Sequence, residues 1–246
     1  MVNGGIAIGE NKDTVGRLEL AEIPEGEFLM GCCQGRADER PVHRVWVDAF
    51  AMGKTTVTNR QYREFVQETG GQMPESFSDH CFCHPDQPVV GVPWFEAMSY
   101  CSWLSTKHSQ VFLLPTEAQW ERAIRAGREQ QLYGWGNEDP QVFEYYRTGW
   151  ESGPHCVALR ECNSYGIYDL GDNVHEWCLD WYEADFYQRT EEKNPVNNKE
   201  SGRRASRGGA WRHRIKASRC AARSSLPPEF AYTDYGFRVV RIAGEL

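Results

Sequence analysis

The segment 165–182, YGIYDLGDNVHEWCLDWY, is the feature that most constrains this chain. Turn-forming glycine and asparagine interrupt any helical or strand period in its first half. Asp169, Asp172, Asn173 and Glu176 place four oxygen-bearing side chains within eight residues. Irregular loops of this kind bind calcium, which takes about six to eight oxygen ligands. The residues alone leave two interpretations open: a polar turn leading into a tryptophan-rich core strand, or a calcium loop.

Composition and charge restrict the classes of protein to which the chain can belong. With 246 residues and 40% hydrophobic content, it is long enough to bury a substantial core. The net charge of −8 and the pI of about 5.4 argue against a general nucleic-acid binder or a protein of anionic membranes. No apolar run approaches the ~18 residues of a membrane-spanning helix. We therefore expect neither nucleic acid nor membrane among its partners.

The N-terminal residues and the cysteines bear on location. The chain begins with neither the basic region nor the apolar region of a secretory signal, so we expect a cytoplasmic protein. Its nine cysteines are an odd number, and without export most should be reduced and buried as small apolar residues. At least one of them therefore lacks a disulfide partner within the chain.

Helix signals are concentrated in the first half of the chain. Thr58 and Thr116 each stand three residues before a glutamine, which is the pattern of a capping box. We predict a helix after each, the first ending at Gly70 and the second with Gly127 as its C-cap. A further helix is predicted over 93–104, and no long helix is expected after Gly127.

Short alternating patterns separate these helices and follow them. The predicted strands are two in 18–30 around a Pro-Glu-Gly turn, one in 42–50, and others around 207–211, 218–223 and 236–242. Residues 1–17 are glycine-rich and polar, which predicts a flexible N-terminal segment. No internal repeat or linker interrupts the remainder, so we predict a single α+β domain over 18–246.

Several motifs, found in one consistent order, resemble those of the formylglycine-generating enzyme family, also called sulfatase-modifying factors. They are IPEGEFLMG (23–31), ERPVH (39–43), TVTN (56–59), PVVGV (88–92), LPTEA (114–118), GIYDL (166–170), NVHEW (173–177), RGG (207–209) and GFR (236–238). The resemblance covers about nine-tenths of the chain. It implies one loop-rich α+β domain related to C-type lectins, in agreement with the irregular pattern described above.

The resemblance also implies a structural calcium ion at the segment 169–176. The positions that match the family's calcium ligands are Asp169, Asp172, Val174 through its carbonyl, and Glu176. Two residues depart from the family pattern, because Asp172 stands where a glycine is usual and His175 replaces a tryptophan. The family's second calcium site has no counterpart in 145–160.

Catalysis in the family depends on two cysteines five positions apart, just after an Arg-Gly-Gly-Ser motif. Their thiolates bind copper(I), which soft ligands prefer, and oxygen then oxidises a substrate cysteine. Here the segment 207–223 reads RGGAWRHRIKASRCAAR and contains a single cysteine, Cys220. It matches a family cysteine that is not a copper ligand. We therefore do not expect the formylglycine-generating activity.

The same segment is strongly basic and borders the substrate cleft in the family. Its candidate ligand-binding residues are Trp211, Arg212, His213, Arg214, Arg219 and Arg223. Two interpretations stay open. The basic residues form either a solvated face that balances nearby carboxylates or a positive groove for an acidic peptide or another anionic ligand.

The run His80–His84, HCFCH, holds the only Cys-x-Cys of the chain. Zinc sites usually separate paired cysteines by about two to four residues and add a distant second pair. The pair Cys81 and Cys83 is therefore either incidental to a surface loop or part of a metal or redox site.

Two hypotheses of function follow. In the first, the protein is a diverged, noncatalytic family member that binds a peptide, a protein or a small ligand in the basic cleft, on a scaffold braced by calcium. In the second, it is an oxygen-dependent oxidoreductase acting on cysteine or another sulfur compound, with copper or iron held by His213, Cys220 or His175. The sulfoxide-synthase branch of the family is disfavoured, because its iron histidines come mainly from an added N-terminal helical domain.

Overall fold

A computed structural model of the protein describes residues 18–138, 153–213 and 215–244. The predicted flexible segment 1–17 lies outside these ranges. The three α-helices within them are α1 (Asn59–Thr69), α2 (Trp94–His108) and α3 (Glu117–Arg125). Each of these helices is too short or too polar to traverse a lipid bilayer.

Both predicted capping boxes are present. The hydroxyl of Thr58 accepts a hydrogen bond from the backbone N–H of Gln61, whose side chain accepts one from the N–H of Thr58. Thr116 and Gln119 make the same reciprocal pair at the start of α3. The left-handed residue that ends α3 is Ala126, one position before the predicted glycine. The local sequence therefore determines where α1 and α3 begin.

Ten short strands in the described ranges form three small sheets. They are β1 (Leu20–Ile23), β2 (Gly26–Met30), β3 (His43–Val47), β4 (Phe50–Gly53), β5 (Val111–Leu113), β6 (His175–Trp181), β7 (Arg204–Arg207), β8 (Arg223–Leu226), β9 (Tyr235–Gly236) and β10 (Val240–Ile242). The strand orders are β1-β4-β10-β5, β2-β3 and β8-β7-β6-β9. Only β6 and β9 pair in parallel. The predicted α+β class is confirmed.

The strands predicted at 207–211 and 218–223 are wrong in position. β7 ends at Arg207, the next residues turn away from the sheet, and a short 3-10 helix covers Ile215–Ser218. The reason is a close backbone approach at Gly209, where a Cβ atom would stand 2.6 Å from the carbonyl oxygen of Gly171 and 2.4 Å from Ser218 Oγ. Because an extended strand would not make this contact, the segment becomes a folded loop.

Helix α3 carries two buried carboxylates into the centre of the fold. Arg207 Nη1 donates to Glu117 Oε2 at 2.9 Å, and its Nη2 donates to Glu121. Arg223 makes a two-pronged contact with Glu117, with both N···O distances 2.8 Å. Arg125 adds a second partner to Glu121. We call these five residues the buried ion-pair network.

Removing one member of the network should destabilise the fold. Burial on its own would raise the pKa of Glu117, but Arg223 and then Arg207 outweigh it and lower the pKa below 4.5. Glu117→Gln leaves two buried guanidinium groups short of a carboxylate and should lower the free energy of unfolding by about 3–5 kcal/mol. Urea unfolding at neutral pH measures the change.

Glu64→Gln is the matched control, because Glu64 forms an exposed ion pair with Lys107 on the surface. It should change the free energy of unfolding by less than about 1 kcal/mol. The pH dependence gives a second readout. Since the folded pKa of Glu117 is lowered, its stabilisation is present above 4.5 and is lost as the pH falls through the folded value. Equal losses in the two variants would contradict a central role for the network.

Candidate ligand and metal site

Three strand ends meet at one edge of the third sheet and build the candidate site. His175 begins β6, Arg207 ends β7, and Tyr235 begins β9. The register places His175 opposite Tyr235 and Glu176 opposite Arg207. The loops that leave β7 and enter β9 are therefore held over the start of β6.

His175, His213 and Asp234 come together at this edge. His175 Nε2 lies 2.8 Å from His213 Nδ1, and His213 Nε2 lies 3.3 Å from Asp234 Oδ2. Arg212 Nη2 donates to the other carboxylate oxygen of Asp234 at 2.6 Å. His175 and Asp234 are buried, whereas the side chain of His213 is 39% exposed. The cluster thus has a closed side within the fold and an open side toward solvent.

Both imidazoles in the cluster are held neutral at neutral pH. Burial, and to a smaller extent the neighbouring His213, lower the pKa of His175 to about 4. Burial also lowers the pKa of His213, although Asp234 opposes the shift. A neutral imidazole offers a nitrogen lone pair, which can accept a proton or bind a metal ion.

Two pairs of aromatic rings adjoin the residues of the cluster. Phe82 and Trp211, the residue before Arg212, have ring centroids 6.1 Å apart. Phe230 and Tyr232 have ring centroids 6.1 Å apart and are 45% and 46% exposed, and Tyr232 contacts Tyr235, the residue after Asp234. We call these four residues and His213 the aromatic band. Trp211, Arg212 and His213 were predicted as ligand-binding residues, and the structure brings them together here.

Arg219 and Arg223, which were also predicted as ligand-binding residues, form ion pairs within the fold instead. Arg219 donates two hydrogen bonds of 2.6 Å to the buried carboxylate of Glu39. The side chain of Arg223 is fully buried against Glu117 in the ion-pair network. Arg214 lies outside the described residues. Arg219 and Arg223 therefore do balance carboxylates, but they do so within the fold and not on the solvated face that the sequence suggested.

Cys220 is separated from the histidines. Its side chain is fully buried in the same apolar cluster as Trp120 and Ile124. Its backbone carbonyl accepts a hydrogen bond from Arg207. Burial raises the pKa of its thiol to about 12, so the reactive thiolate form is suppressed. The structure offers no support for Cys220 as a catalytic residue beside His213.

Two of the four predicted calcium ligands approach each other. Asp169 and Asp172 lie with His155 in a group of possible ligand atoms within 4.8 Å of one another. One oxygen of each carboxylate is used: Asp169 Oδ2 accepts from Ala158 N at 2.8 Å, and Asp172 Oδ2 accepts from Arg160 at 2.7 Å. The Oδ1 atoms of both are buried with no hydrogen-bond partner in the described part of the chain. Burial and then Asp172 raise the pKa of Asp169 to about 7.

The other two predicted ligands are placed differently. Both carboxylate oxygens of Glu176 accept hydrogen bonds from Arg238 at 2.9 Å, and one also accepts from Trp120 Nε1 at 2.8 Å. The carbonyl oxygen of Val174 lies over Gly208, 3.6 Å from where a Cβ would stand. The carboxylate of Glu176 is thus committed to an ion pair, which the sequence pattern did not reveal.

The run His80–His84 forms a surface loop next to the aromatic band. Cys81 Sγ lies 3.6 Å from His80 Nε2, and these two residues form a possible metal-binding group with Asp79. His84 Nδ1 lies 3.1 Å from Cys156 Sγ, a pairing across 72 residues that no spacing suggested. Burial raises the pKa of Cys156, so this thiol is not activated as a nucleophile.

Sequence reasoning missed Asp234, Phe230 and Tyr232 as site residues. They fall in a stretch without a recognisable motif, and Asp234 joins the histidines only through the parallel pairing of β9 with β6. The replacement of a family tryptophan by His175 was the one available signal.

Solved structures with a similar architecture define the class of fold. PvdO from Pseudomonas aeruginosa superimposes with a TM-score of 0.76 at 23% identity, over 92% of this chain and 94% of that chain. Treponema denticola variable protein 1 gives 0.77 at 22% identity, over 90% of this chain and 94% of that one. Mixed α+β folds with few helices and several small sheets are therefore common to all three.

Sequence comparison identifies the family. Residues 10–243 match the family described as the sulfatase-modifying factor enzyme 1-like domain. The chain belongs to the formylglycine-generating enzyme (sulfatase-modifying factor) family. The formylglycine-generating enzyme of Bos taurus is 28% identical over 89% of this chain and 74% of its own length.

Other relatives carry different names. The serine/threonine-protein kinase pkn1 of Chlamydia caviae is 31% identical over 91% of this chain, which spans only 38% of that protein's length. The inactive C-alpha-formylglycine-generating enzyme 2 of Bos taurus is 28% identical over 92% of this chain and 89% of its length. The family therefore includes proteins named as inactive.

Thiol labelling tests the placement of the cysteines. In the native protein at mildly alkaline pH, iodoacetamide should modify the exposed Cys33 and Cys162 first. Cys101, Cys178 and Cys220 are buried, and burial raises the pKa of each thiol, so they should react only after unfolding. Peptide mass spectrometry after timed labelling identifies the sites. Rapid native labelling of Cys220 would contradict its burial.

Proposed function

We propose that this protein does not convert cysteine to formylglycine and instead binds a peptide segment of a partner protein on the aromatic band. The observation that carries the proposal is the segment between Arg207 and Arg223. It lacks the cysteine pair of the active enzymes, and its single cysteine is buried in the core. A relative named as an inactive enzyme lends support, because it indicates that the family's fold persists without that activity.

The chemistry of the band favours a peptide as the ligand. Tyrosine, tryptophan and arginine are the residues that contribute most to binding at protein interfaces. Phe230 and Tyr232 are large, exposed and already stacked on each other, so little side-chain freedom would be lost on binding. Arg212 is exposed beside them and can donate hydrogen bonds to peptide carbonyls.

The charges around the band favour apolar over acidic ligands. Arg212 is paired with Asp234, and Arg219 is paired with Glu39. The neutral His213 adds no charge at neutral pH. Because Arg212 and Arg219 are both paired with carboxylates, we infer that aromatic contacts rather than ion pairs supply the affinity. Binding should therefore depend only weakly on salt.

Selection from a displayed library of random peptides tests the proposal. Peptides enriched on the wild-type protein should carry aromatic or aliphatic side chains. The tightest of them, made synthetically, should bind Tyr232→Ala more weakly by about 2 kcal/mol because a stacked ring is removed. Isothermal titration calorimetry measures the difference in affinity, and its repetition at high salt measures the ionic contribution.

Trp46→Ala is the matched control, since Trp46 is also an exposed aromatic residue but lies in the β2-β3 sheet. It should bind the same peptide with unchanged affinity. Failure to enrich any peptide would contradict the proposal, and so would equal losses in both variants. A strong fall in affinity with salt would favour a basic groove for acidic ligands instead.

The short distance between His175 and His213 suggests a second candidate function. This function is the oxygen-dependent oxidation of a cysteine or another sulfur compound with bound copper or iron. A cysteine-containing peptide, incubated with the protein, oxygen and either copper(I) or iron(II), discriminates the two functions. Under the binding proposal its mass stays unchanged beyond a metal-only control. A protein-dependent oxidation product that is lost in His213→Ala would establish the oxidoreductase.

We also propose that a calcium ion braces the segment 169–172. The supporting observation is the pair of buried Oδ1 atoms of Asp169 and Asp172, which face no hydrogen-bond donor in the described residues. A cation relieves the repulsion between two buried carboxylates, and the remaining coordination would come from backbone carbonyls and water. Arg160 donates a hydrogen bond to the other oxygen of Asp172, Oδ2.

Calcium should therefore stabilise the native protein. At about 100 times the dissociation constant the gain is about 2.7 kcal/mol, visible as a higher melting temperature. Asp169→Asn should remove this calcium response while leaving a folded protein. Asp185→Asn, at an exposed carboxylate, should keep the full response. An unchanged melting temperature on adding calcium to chelator-treated wild type would rule out the brace.

A further inference from the structure

Two imidazole nitrogens point at each other in the cluster at the edge of the third sheet. His175 Nε2 and His213 Nδ1 are 2.8 Å apart. The other nitrogen of His213 faces Asp234, whose carboxylate is buried. A neutral imidazole has one N–H, and the nearby carboxylate favours that proton on His213 Nε2. His175 Nε2 then carries the proton shared across the 2.8 Å contact, and binding of a metal at both nitrogens requires His175 to hold its proton on Nδ1 instead. The lone pair of His213 Nδ1 is therefore directed toward His175.

This arrangement is typical of a metal-binding histidine. Metal-bound imidazoles usually donate their second N–H to a carboxylate, which fixes the tautomer and the ring orientation. Two nitrogens bound to one zinc ion in a tetrahedral site lie about 3.4 Å apart, each about 2.1 Å from the metal. The two nitrogens must therefore separate by about 0.6 Å, and both lone pairs must turn toward the metal; His213 is the more exposed residue of the pair.

We propose that His175 Nε2 and His213 Nδ1 bind a zinc-type transition-metal ion and that Asp234 is a positioning residue behind His213. Imidazole nitrogen favours zinc, copper, nickel and iron over calcium and magnesium. With two protein ligands, the remaining coordination positions face solvent and take water or a donor atom of an incoming ligand. The site lies within the aromatic band, but its formation does not depend on the peptide-binding proposal.

Burial explains why this position differs from a surface pair of histidines. His175 is 2% exposed and is fixed by the backbone hydrogen bond from its N–H to the carbonyl of Asp234, at 2.8 Å. One ligand and the positioning carboxylate are therefore preorganised by the sheet. Because the backbone of His175 is held in this way, the adjustment is confined to the two rings, which limits the entropy lost on binding.

Zinc titration of the metal-free protein tests the proposal. The titration is done in a background with His80→Ala and Cys156→Ala, saturated with calcium, because the group of Asp79, His80 and Cys81, the pair of His84 and Cys156, and the pair of Asp169 and Asp172 could also take up zinc. We expect one zinc ion per chain in this background. His213→Ala should abolish binding, and His108→Ala, at an exposed histidine in the last turn of α2, should leave it unchanged.

Asp234→Asn tests the positioning role separately. It should keep the stoichiometry of one and weaken the affinity by about 10- to 100-fold. Nitrogen-15 spectra of histidine-labelled protein identify the ligand atoms without altering buried His175. On adding zinc, the resonances of His175 Nε2 and His213 Nδ1 should shift together.

Three results would overturn the proposal: no zinc binding in this double-variant background, undiminished binding when His213→Ala is added to it, or zinc binding with unmoved resonances of His175. The last result would mean that the two histidines and Asp234 form only a hydrogen-bonded chain. These measurements contain no peptide. A negative result for zinc therefore does not bear on the peptide-binding proposal, which the peptide selection tests separately.

Discussion

The fold depends on the bond between α3 and the third sheet, made by Glu117 with Arg207 and Arg223. A carboxylate buried in a protein of this size is strongly destabilising unless its charge is matched, and here one carboxylate serves two guanidinium groups. Because Arg207 and Arg223 end β7 and begin β8, the network fixes the strand ends on which the candidate site is built. A second buried ion pair joins Arg238 to Glu176 of β6, the residue that follows His175.

Charged side chains thus form ion pairs inside the molecule, and this changes the interpretation of its basic C-terminal part. A segment rich in arginine suggests an anion-binding surface when the sequence alone is considered. In the structure Arg219 and Arg223 turn inward to carboxylates and are not available to an anion at the surface.

The sequence was sufficient for features encoded by near neighbours. Thr58 and Thr116 are examples, because a capping box is complete within four residues. Prediction from the sequence failed where residues distant in the chain make contact. Gly209 approaches the backbone of Gly171, and this contact prevents the strand that the sequence predicted there. Asp234 could not be foreseen for the same reason, since its partnership with His213 exists only after β9 has paired with β6. Family resemblance supplied the fold but not the partners of Glu176.

The closing pair of the β7-β8 hairpin has one more consequence. Arg207 and Arg223 lie opposite each other in the ladder, and both are held by the same carboxylate of Glu117. The two ends of the intervening stretch, 208–222, are consequently anchored at a fixed separation whatever lies between them. Changes in the exposed middle of this stretch, around Arg212 and His213, therefore leave the pairing of β7 with β8 in place.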